Sequence, residues 1–450
     1  MMEYKEYDVF VIGSGVAGRY VARTCASAGL SVAIADNREF GGTCANRGCD
    51  PKKIILGPTE VFDLADNLSQ KGISSLPELN WEANQKFKKK FTDKIPAGTE
   101  NQLKELGVTL YHQSPKFLDK HTLSVEGKTI TAKNIVIATG QIPRTLTMEG
   151  AHFLKTSADF LKLSKLPKSM VFIGAGYIGL EFAHMATRYG CQVTLIEQGP
   201  SALNAFDSDL VSELISVSEK LGIRFIFNAE ISSIEKLNKN CRVNYKHEGK
   251  NESIKARMVL NTAGRVPAIT ELSLEKGGVS FSKKGVEVNK FLQNTTNNKV
   301  YACGDVSDHS VPLTPLSGIE AKIVAENIIH GNKTEINVPN VPSTVFTLPN
   351  LASVGLSEDE AKKRYNNVIV KHEFVSDWFN VKRSNEKAYG YKILINERTD
   401  EIVGAHILGP YASETINLFT MAINLKLTTE AVKNMIFTYP SWANDIKSML

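Results

Sequence analysis

The pattern of apolar and polar positions repeats itself in this chain. "YDVFVI" at 7–12 ends in a β-rich apolar run, glycines follow at 13, 15 and 18, and apolar spacings of three and four then predict a helix. A second apolar run closes on Asp36. The same series recurs from "SMVFI" at 169–173, with Gly174, Gly176 and Gly179, a helical pattern, and a strand closing on Glu197. First glycines and closing acids are both offset by 161 residues (174 − 13 and 197 − 36). In such a turn the first glycine permits the tight bend, the second lets a pyrophosphate reach the backbone, and the third lets helix pack on strand. The phosphates then face the positive end of the helix, and the acid accepts a ribose hydroxyl. One glycine triplet is weak evidence, whereas two copies with their acids predict two Rossmann-like dinucleotide-binding domains. A flavin and a nicotinamide are the dinucleotides that exchange electron pairs.

Glu197 bears on which nicotinamide. A 2′-phosphate beside it would meet a like-charge repulsion on the order of 4 kcal/mol at about 4 Å and an effective dielectric of ~20. NADP sites supply an arginine there, and no Arg or Lys occurs from 198 to 214. NADH is therefore expected over NADPH.

Composition narrows the rest. The 450 residues, 42% hydrophobic and 22% charged, suffice for two to four domains. A dispersed net charge of +5 gives no reason to expect nucleic acid, and "KFKKK" at 86–90 fits a solvated helix face. No apolar run approaches the ~20 residues that span a bilayer, and no leader pattern opens the chain. Six cysteines are too sparse for a disulfide scaffold. The expectation is a soluble cytoplasmic protein with neither membrane nor nucleic-acid partners. Cys25, Cys191, Cys241 and Cys303 are expected as packing residues inside strands or helices.

"GGTCANRGCDPKK" at 41–53 places Cys44 and Cys49 five positions apart. A staple, a metal clip or a redox couple would each use such a pair. Zinc sites take four ligands at closer spacing, and no second cysteine pair or histidine cluster is present, so no metal is expected.

With both nucleotide motifs, these residues make the chain resemble the class I pyridine nucleotide–disulfide oxidoreductases. The likeness runs from about residue 5 to 450. "GGTCANRGCDPKK" is similar to that family's redox-active disulfide motif. "IVIATGQIPR" (135–144) and "NTAGRVP" (261–267) are similar to its crossover segments, and "VYACGDV" (300–306) to its second flavin motif. "VPSTVFTLPNLASVGLSEDEA" and "IVGAHILGPYASETIN" are similar to its dimerisation domain. The resemblance implies an α/β fold: two Rossmann-like domains, for FAD and NAD, plus a C-terminal α+β dimerisation domain. FAD would belong to 1–147 and 263–333, NADH to 148–262, and the homodimer interface to 338–450. It also implies cofactor contacts at Gly42, Thr43, Thr139, Gly140, Gly264 and Asp305, besides the two glycine turns.

By the same resemblance, electrons pass from NADH through FAD to a Cys44–Cys49 disulfide and on to a small-molecule acceptor. Cys49 would be the flavin-side thiolate and Cys44 the attacking sulfur. Cys49 stands near a predicted helix start beside Lys52 and Lys53, which favours a thiolate. One of these lysines would contact the flavin and pair with Glu181, and Tyr177 would cover the nicotinamide pocket. Asp50 should raise the Cys49 pKa, and Arg47 could offset it. Arg23 and Lys322 match glutathione-contacting cations of the family, yet both also fit as surface charges.

The C-terminus departs from the family. Where disulfide reductases carry His-Pro-Thr-x-x-Glu, this chain has "YPSWAN", with Tyr439 in the histidine's place, Asn444 in the glutamate's, and Asp445 next. A phenol, ordinarily titrating near ~10, cannot take a thiol's proton near neutrality as imidazole does. Positioned acid–base catalysis is worth roughly 10²–10⁴ in rate. Three outcomes stay open: an acceptor asking little of a relay (a metal ion, a quinone or a polysulfide), Tyr439 acting as acid with another base, or a residue such as Asp445 orienting water. A redox-sensing flavoprotein with vestigial turnover, and a diaphorase reducing acceptors directly from flavin, are the alternatives.

Overall fold

The structure, a computed structural model, describes residues 4–309 and 311–450. It resolves into two compact units. The first comprises the described residues up to Ile54, Gln85–Thr145 and Gly264–Val338; the second comprises Ile55–Asn84, Leu146–Ala263 and Pro339–Leu450.

The first unit is built on a sheet whose parallel core runs Thr109–Tyr111, Val32–Ala35, Tyr4–Ile12, Lys128–Ile137 and Val300–Ala302. Alternation does the packing. Val9 and Val11 enter a core with Val21, Ala22 and Cys25, while Phe10 and Ile12 enter another with Ile135 and Ile137. A parallel sheet covered on both faces needs such an unbroken apolar run. Helix Val16–Ser27 turns Ala17, Gly18, Val21, Ala22 and Cys25 inward, the spacing of an amphipathic helix. The first strand, Tyr4–Ile12, is longer than the predicted run 7–12, because Tyr4, Lys5 and Glu6 pair with Thr129, Ile130 and Thr131.

The second unit repeats the device. Its parallel sheet runs Arg224–Ile226, Gln192–Ile196, Ser169–Ile173 and Met258–Asn261, with helix Tyr177–Arg188 following the second glycine turn. In both units the strand before the glycine turn lies between the strand that leads to the acid and a later parallel strand. An antiparallel ribbon, Ala229–Leu237, Asn240–His247 and Lys250–Ala256, packs Val243 and Tyr245 against Val171 and Ile173.

The same unit holds a five-stranded antiparallel sheet in the order Ser343–Val345, Asn350–Gly355, Ile402–Gly409, Gly390–Asn396, Val368–Phe374. Ile416 and Phe419 of helix Ala412–Asn424 and Ile446 of helix Trp442–Met449 pack on it. This is the expected α/β architecture with a C-terminal α+β domain. Among the described residues no helix is long and apolar enough to cross a membrane.

Two expectations need correction. "KFKKK" does lie on a helix, Trp81–Thr92, but it is not wholly solvated, since Lys88 is only 6% exposed. All four packing cysteines are buried, yet Cys191 and Cys303 lie just outside strands rather than within them.

Candidate active site

Steric necessity explains the glycine turns. In the first, Gly13 sits at φ +105°, and a Cβ on Gly18 would overlap the Gly13 carbonyl oxygen. In the second, a Cβ on Gly179 would lie 2.5 Å from the Gly174 oxygen. Both helices can therefore approach their strands only through a bare α-carbon. The acids also behave alike. Asp36 Oδ2 accepts the Ser14 N–H at 2.8 Å, and Glu197 Oε2 accepts the Ala175 N–H at 2.8 Å. Glu197 Oε1 further accepts the Gly199 N–H at 3.0 Å.

The surroundings fit dinucleotides. Among the described residues, Gly176 has nothing within 4 Å of where a Cβ would stand, and the same holds for Gly140 and Gly264. These are open stretches of backbone against which a phosphate or ring could lie. Gly15 differs, because its neighbour there is Gly42 of the cysteine motif, at 3.9 Å. Thr139 Oγ1 is buried without a hydrogen-bond partner among the described residues, and a buried hydroxyl normally has one. Burial pushes the Asp305 carboxyl up, against the pull of Arg265 and of Ser317, whose hydroxyl lies 3.4 Å from Asp305 Oδ1. Gln141 Nε2 donates to the Asp305 carbonyl at 3.1 Å.

Cys44 lies in the short helix Gly42–Arg47, and Cys49 begins helix Cys49–Asn67, with Gly48 between them. Thr43 precedes Cys44 on an exposed turn of the first helix. The two sulfurs are free thiols, and Thr314 lies against both. Its hydroxyl donates to Cys44 Sγ at 3.3 Å and lies 3.7 Å from Cys49 Sγ. The two thiols are polarised in opposite senses. The hydrogen bond between the two sulfurs, the Thr314 hydroxyl and the Lys52 charge bring Cys49 down to about 6, against burial and Asp50. The same bond and burial push Cys44 upward. A thiol next to a thiolate keeps its proton because one charge suffices for both sulfurs.

Arg47 does not offset Asp50 at this thiolate. Its guanidinium, almost wholly buried, donates to Glu39 at 2.8 Å. The compensating cation is Lys52, half-buried on the cysteine helix, whereas Lys53 is exposed.

Thr314 is the residue that sequence reasoning missed. It opens helix Thr314–His330, followed by Pro315 at the first turn. The Thr-Pro pair signals a helix start, but nothing local signals that this start meets cysteines 265 and 270 positions away.

In the second unit Glu181 is no surface cap: it is buried, and its Oε1 accepts the Phe346 N–H at 2.9 Å. Tyr177 starts the helix after the open glycine, with its ring exposed. Tyr439 is 72% exposed. Asn444 lies on helix Trp442–Met449, where its N–H is capped by Ser441. Asp445, one residue on, has both carboxylate oxygens 3.0 Å from Asn380 Nδ2; burial raises its carboxyl, and Asn380 and Arg383 oppose this. Arg23 and Lys322 are both exposed. No group of three or more metal-ligating side chains occurs among the described residues.

Two glycine–acid turns on parallel sheets and a polarised dithiol define a two-dinucleotide redox protein. The sequence profile described as "Pyridine nucleotide-disulphide oxidoreductase" matches residues 7–322, and that of the family's dimerisation domain matches 341–450. The chain belongs to the pyridine nucleotide–disulfide oxidoreductases. It is 31% identical to a glutathione reductase of Nostoc sp. strain PCC 7120 over 99% of each chain. It is 30% identical to a mercuric reductase of Staphylococcus aureus, covering 98% of this chain and 81% of the relative. A dihydrolipoyl dehydrogenase of Bacillus subtilis strain 168 is also 30% identical, over 98% and 96%. Among solved structures, the Cu(II) complex of the HOCl-induced flavoprotein disulfide reductase RclA from Escherichia coli superposes with a TM-score of 0.85. That pair shares 26% identity over 98% of each chain. The protein is thus an oxidoreductase of a family that uses FAD and NAD(P)H.

Proposed function

We propose that this protein carries electrons from NADH to the Cys44–Cys49 pair and on to a small acceptor that needs no imidazole relay. The observation carrying this reading is the polarised dithiol beneath Thr314, set in a chain with Tyr439 where the family's histidine would stand. FAD, when bound, would accept an electron pair from the nicotinamide and release it toward the sulfurs. Thr139, Asp36, Asp305 and the first glycine turn would hold it. Gly174, Gly176, Gly179, Tyr177 and Glu197 would hold NADH, with Glu197 disfavouring a 2′-phosphate.

The chain's own residues then account for the chemistry. Cys49 as thiolate and Cys44 as thiol lose two electrons and one proton when they close to the disulfide. A quinone takes up that electron pair with two protons, one released by the pair and one from solvent, whereas Hg(II) takes the pair, and two Cu(II) ions one electron each, with the released proton passing to solvent. None needs a thiol leaving group protonated, which is the step for which the absent histidine would matter. A mercuric reductase and a Cu(II) complex among the relatives make metal ions the first class to test.

Residues 1–147 with 263–333 are proposed as the FAD domain, 148–262 as the NADH domain and 338–450 as a homodimer interface. The last assignment is supported by the match of 341–450 to the family's dimerisation domain, within which Met421, Leu425, Ile436 and Tyr439 are exposed.

The test is an anaerobic NADH titration followed by an acceptor screen with Hg(II), Cu(II), quinones, lipoamide and glutathione disulfide. Cys49→Ser should abolish turnover with the true acceptor, and NADH should outperform NADPH. Equal turnover in Cys49→Ser would refute the dithiol route. Tyr439→His should speed small disulfides selectively.

A further inference from the structure

The two glycine turns offer an internal comparison. Each acid accepts the N–H of the residue after the first glycine, at 2.8 Å in both copies. That residue is Ser14 in the first copy and Ala175 in the second. Only Ser14 brings a hydroxyl, and it is fully buried and used twice. It donates to Asp36 Oδ2 at 2.6 Å and accepts the Gly41 N–H at 3.1 Å. Gly41, in the left-handed region at φ +107°, is the residue from which helix Gly42–Arg47 starts. Gly42 in turn packs so closely on Gly15 that a Cβ there would overlap it.

We propose that Ser14 is a positioning residue that fastens the backbone carrying Cys44 to the carboxylate of Asp36. The inference rests on the electron route proposed above and adds to it a chain of contacts, Asp36–Ser14–Gly41, that precedes the redox pair. The chemistry of the chain is directional. The Asp36 carboxylate accepts a hydrogen bond from the Ser14 hydroxyl, which polarises the serine oxygen and makes it a better acceptor for the Gly41 N–H. Asp36 Oδ1 meanwhile accepts the Arg38 N–H at 2.9 Å, so the carboxylate is held at both oxygens. Asn46 Nδ2 holds the flanking Phe40 and Gly42 carbonyls from within the motif, at 2.9 and 3.1 Å, whereas the Gly41 N–H ties the motif to the first glycine turn through Ser14. A small displacement at Gly41 would carry Cys44, three residues on, away from Thr314. The second copy, whose turn leads to no reactive cysteine, closes with alanine.

Ser14→Ala reproduces the second turn, so the turn itself should survive, and Ser14→Gly provides a second hydroxyl-free variant. The direct readout is amide hydrogen exchange over residues 40–44 of the whole protein, which should accelerate about ten-fold when one hydrogen bond is lost. In the holoenzyme, Cys49-dependent turnover should fall by a similar factor relative to direct flavin reduction of ferricyanide. Alkylation of Cys44 in the reduced flavin-free chain should change in rate in both variants. Unchanged exchange at 40–44 overturns the proposal. So does an equal fall of both turnover routes with loss of FAD, which would make Ser14 a part of the cofactor turn alone. If wild-type turnover proves indifferent to Cys49→Ser, the electron route fails instead, while the exchange result still decides the role of Ser14.

Discussion

Glu386→Gln should remove a pH dependence of stability that the wild-type fold carries. Glu386 stands in the turn before strand Gly390–Asn396, against Asn67, the last residue of the helix that begins at Cys49. Asn67 Nδ2 donates to Glu386 Oε2 at 3.1 Å, and Asn385 Nδ2 donates to the Asn67 carbonyl at 2.6 Å. Glu386 Oε1 and Asn67 Oδ1 are both buried acceptors with no donor among the described residues. One proton on the carboxyl would serve both atoms and close an acid–amide ring. Burial raises Glu386 from 4.5 to about 7; nearby Asp63 adds to this, while Ser384, Lys387 and the Asn67 amide oppose it. Around it, Lys387 bridges Asp66 at 2.6 Å and Asp63 at 3.7 Å, and Arg188 holds Asp63 at 2.5 Å.

The sign follows from proton linkage. The folded chain holds the Glu386 proton more tightly than the unfolded chain, so the contribution is complete below pH 4.5 and is lost as pH rises through about 7. The interval of 2.5 pH units (7 − 4.5), at about 1.4 kcal/mol each, amounts to roughly 3 kcal/mol. The side-chain amide introduced by Glu386→Gln presents an N–H toward Asn67 Oδ1 at every pH. In urea unfolding, wild type should lose about 2.5 kcal/mol relative to the variant between pH 5 and pH 8.5, since part of the contribution is already gone at pH 5. Parallel stability profiles for the two proteins would refute the protonated pair.

Gly176→Ala should leave the unfolding midpoint within about 0.5 kcal/mol, since nothing stands within 4 Å, but should weaken NADH binding in calorimetric titration. Gly18→Ala, which forces a Cβ into the Gly13 carbonyl, should destabilise the first unit by several-fold more. Thr314→Val keeps the side-chain shape but removes the donor to Cys44, so the Cys49 thiolate titration, followed by ultraviolet absorbance of the reduced chain, should move to higher pH. Arg188→Met leaves Asp63 charged and largely buried with Lys387 as its remaining cation, and should cost about 3–5 kcal/mol in chemical unfolding.

What the sequence disclosed and what it hid divide along a physical line. The glycine turns were legible because their constraint is short-ranged: Gly18 must clear Gly13, five residues back, and Asp36 must reach Ser14, 22 residues back. The apolar runs were legible because a sheet covered on both faces leaves no room for alternation with polar residues. Spacing alone left a staple, a clip or a couple for Cys44 and Cys49, and the family resemblance selected the couple. The polarity of the pair was less legible. Arg47, two residues from Cys49, was a natural candidate to govern it, but Glu39 captures that charge. A buried guanidinium takes the nearest carboxylate that can satisfy it. Lys88 shows the same limit from the other side, since a lysine run on a helix must turn one member inward whenever its register demands it. Thr314 lay furthest from reach, because its hydroxyl meets the sulfurs only once strand Val300–Ala302 has joined the sheet and delivered the next helix to them. The sequence therefore names the reacting atoms through local constraint, while the groups that tune them are selected by tertiary pairing. Substitutions at Thr314 and Ser14, rather than at the cysteines, are accordingly where the tuning of this dithiol should be read, one through its hydrogen bond to Cys44 and the other through the backbone that carries it.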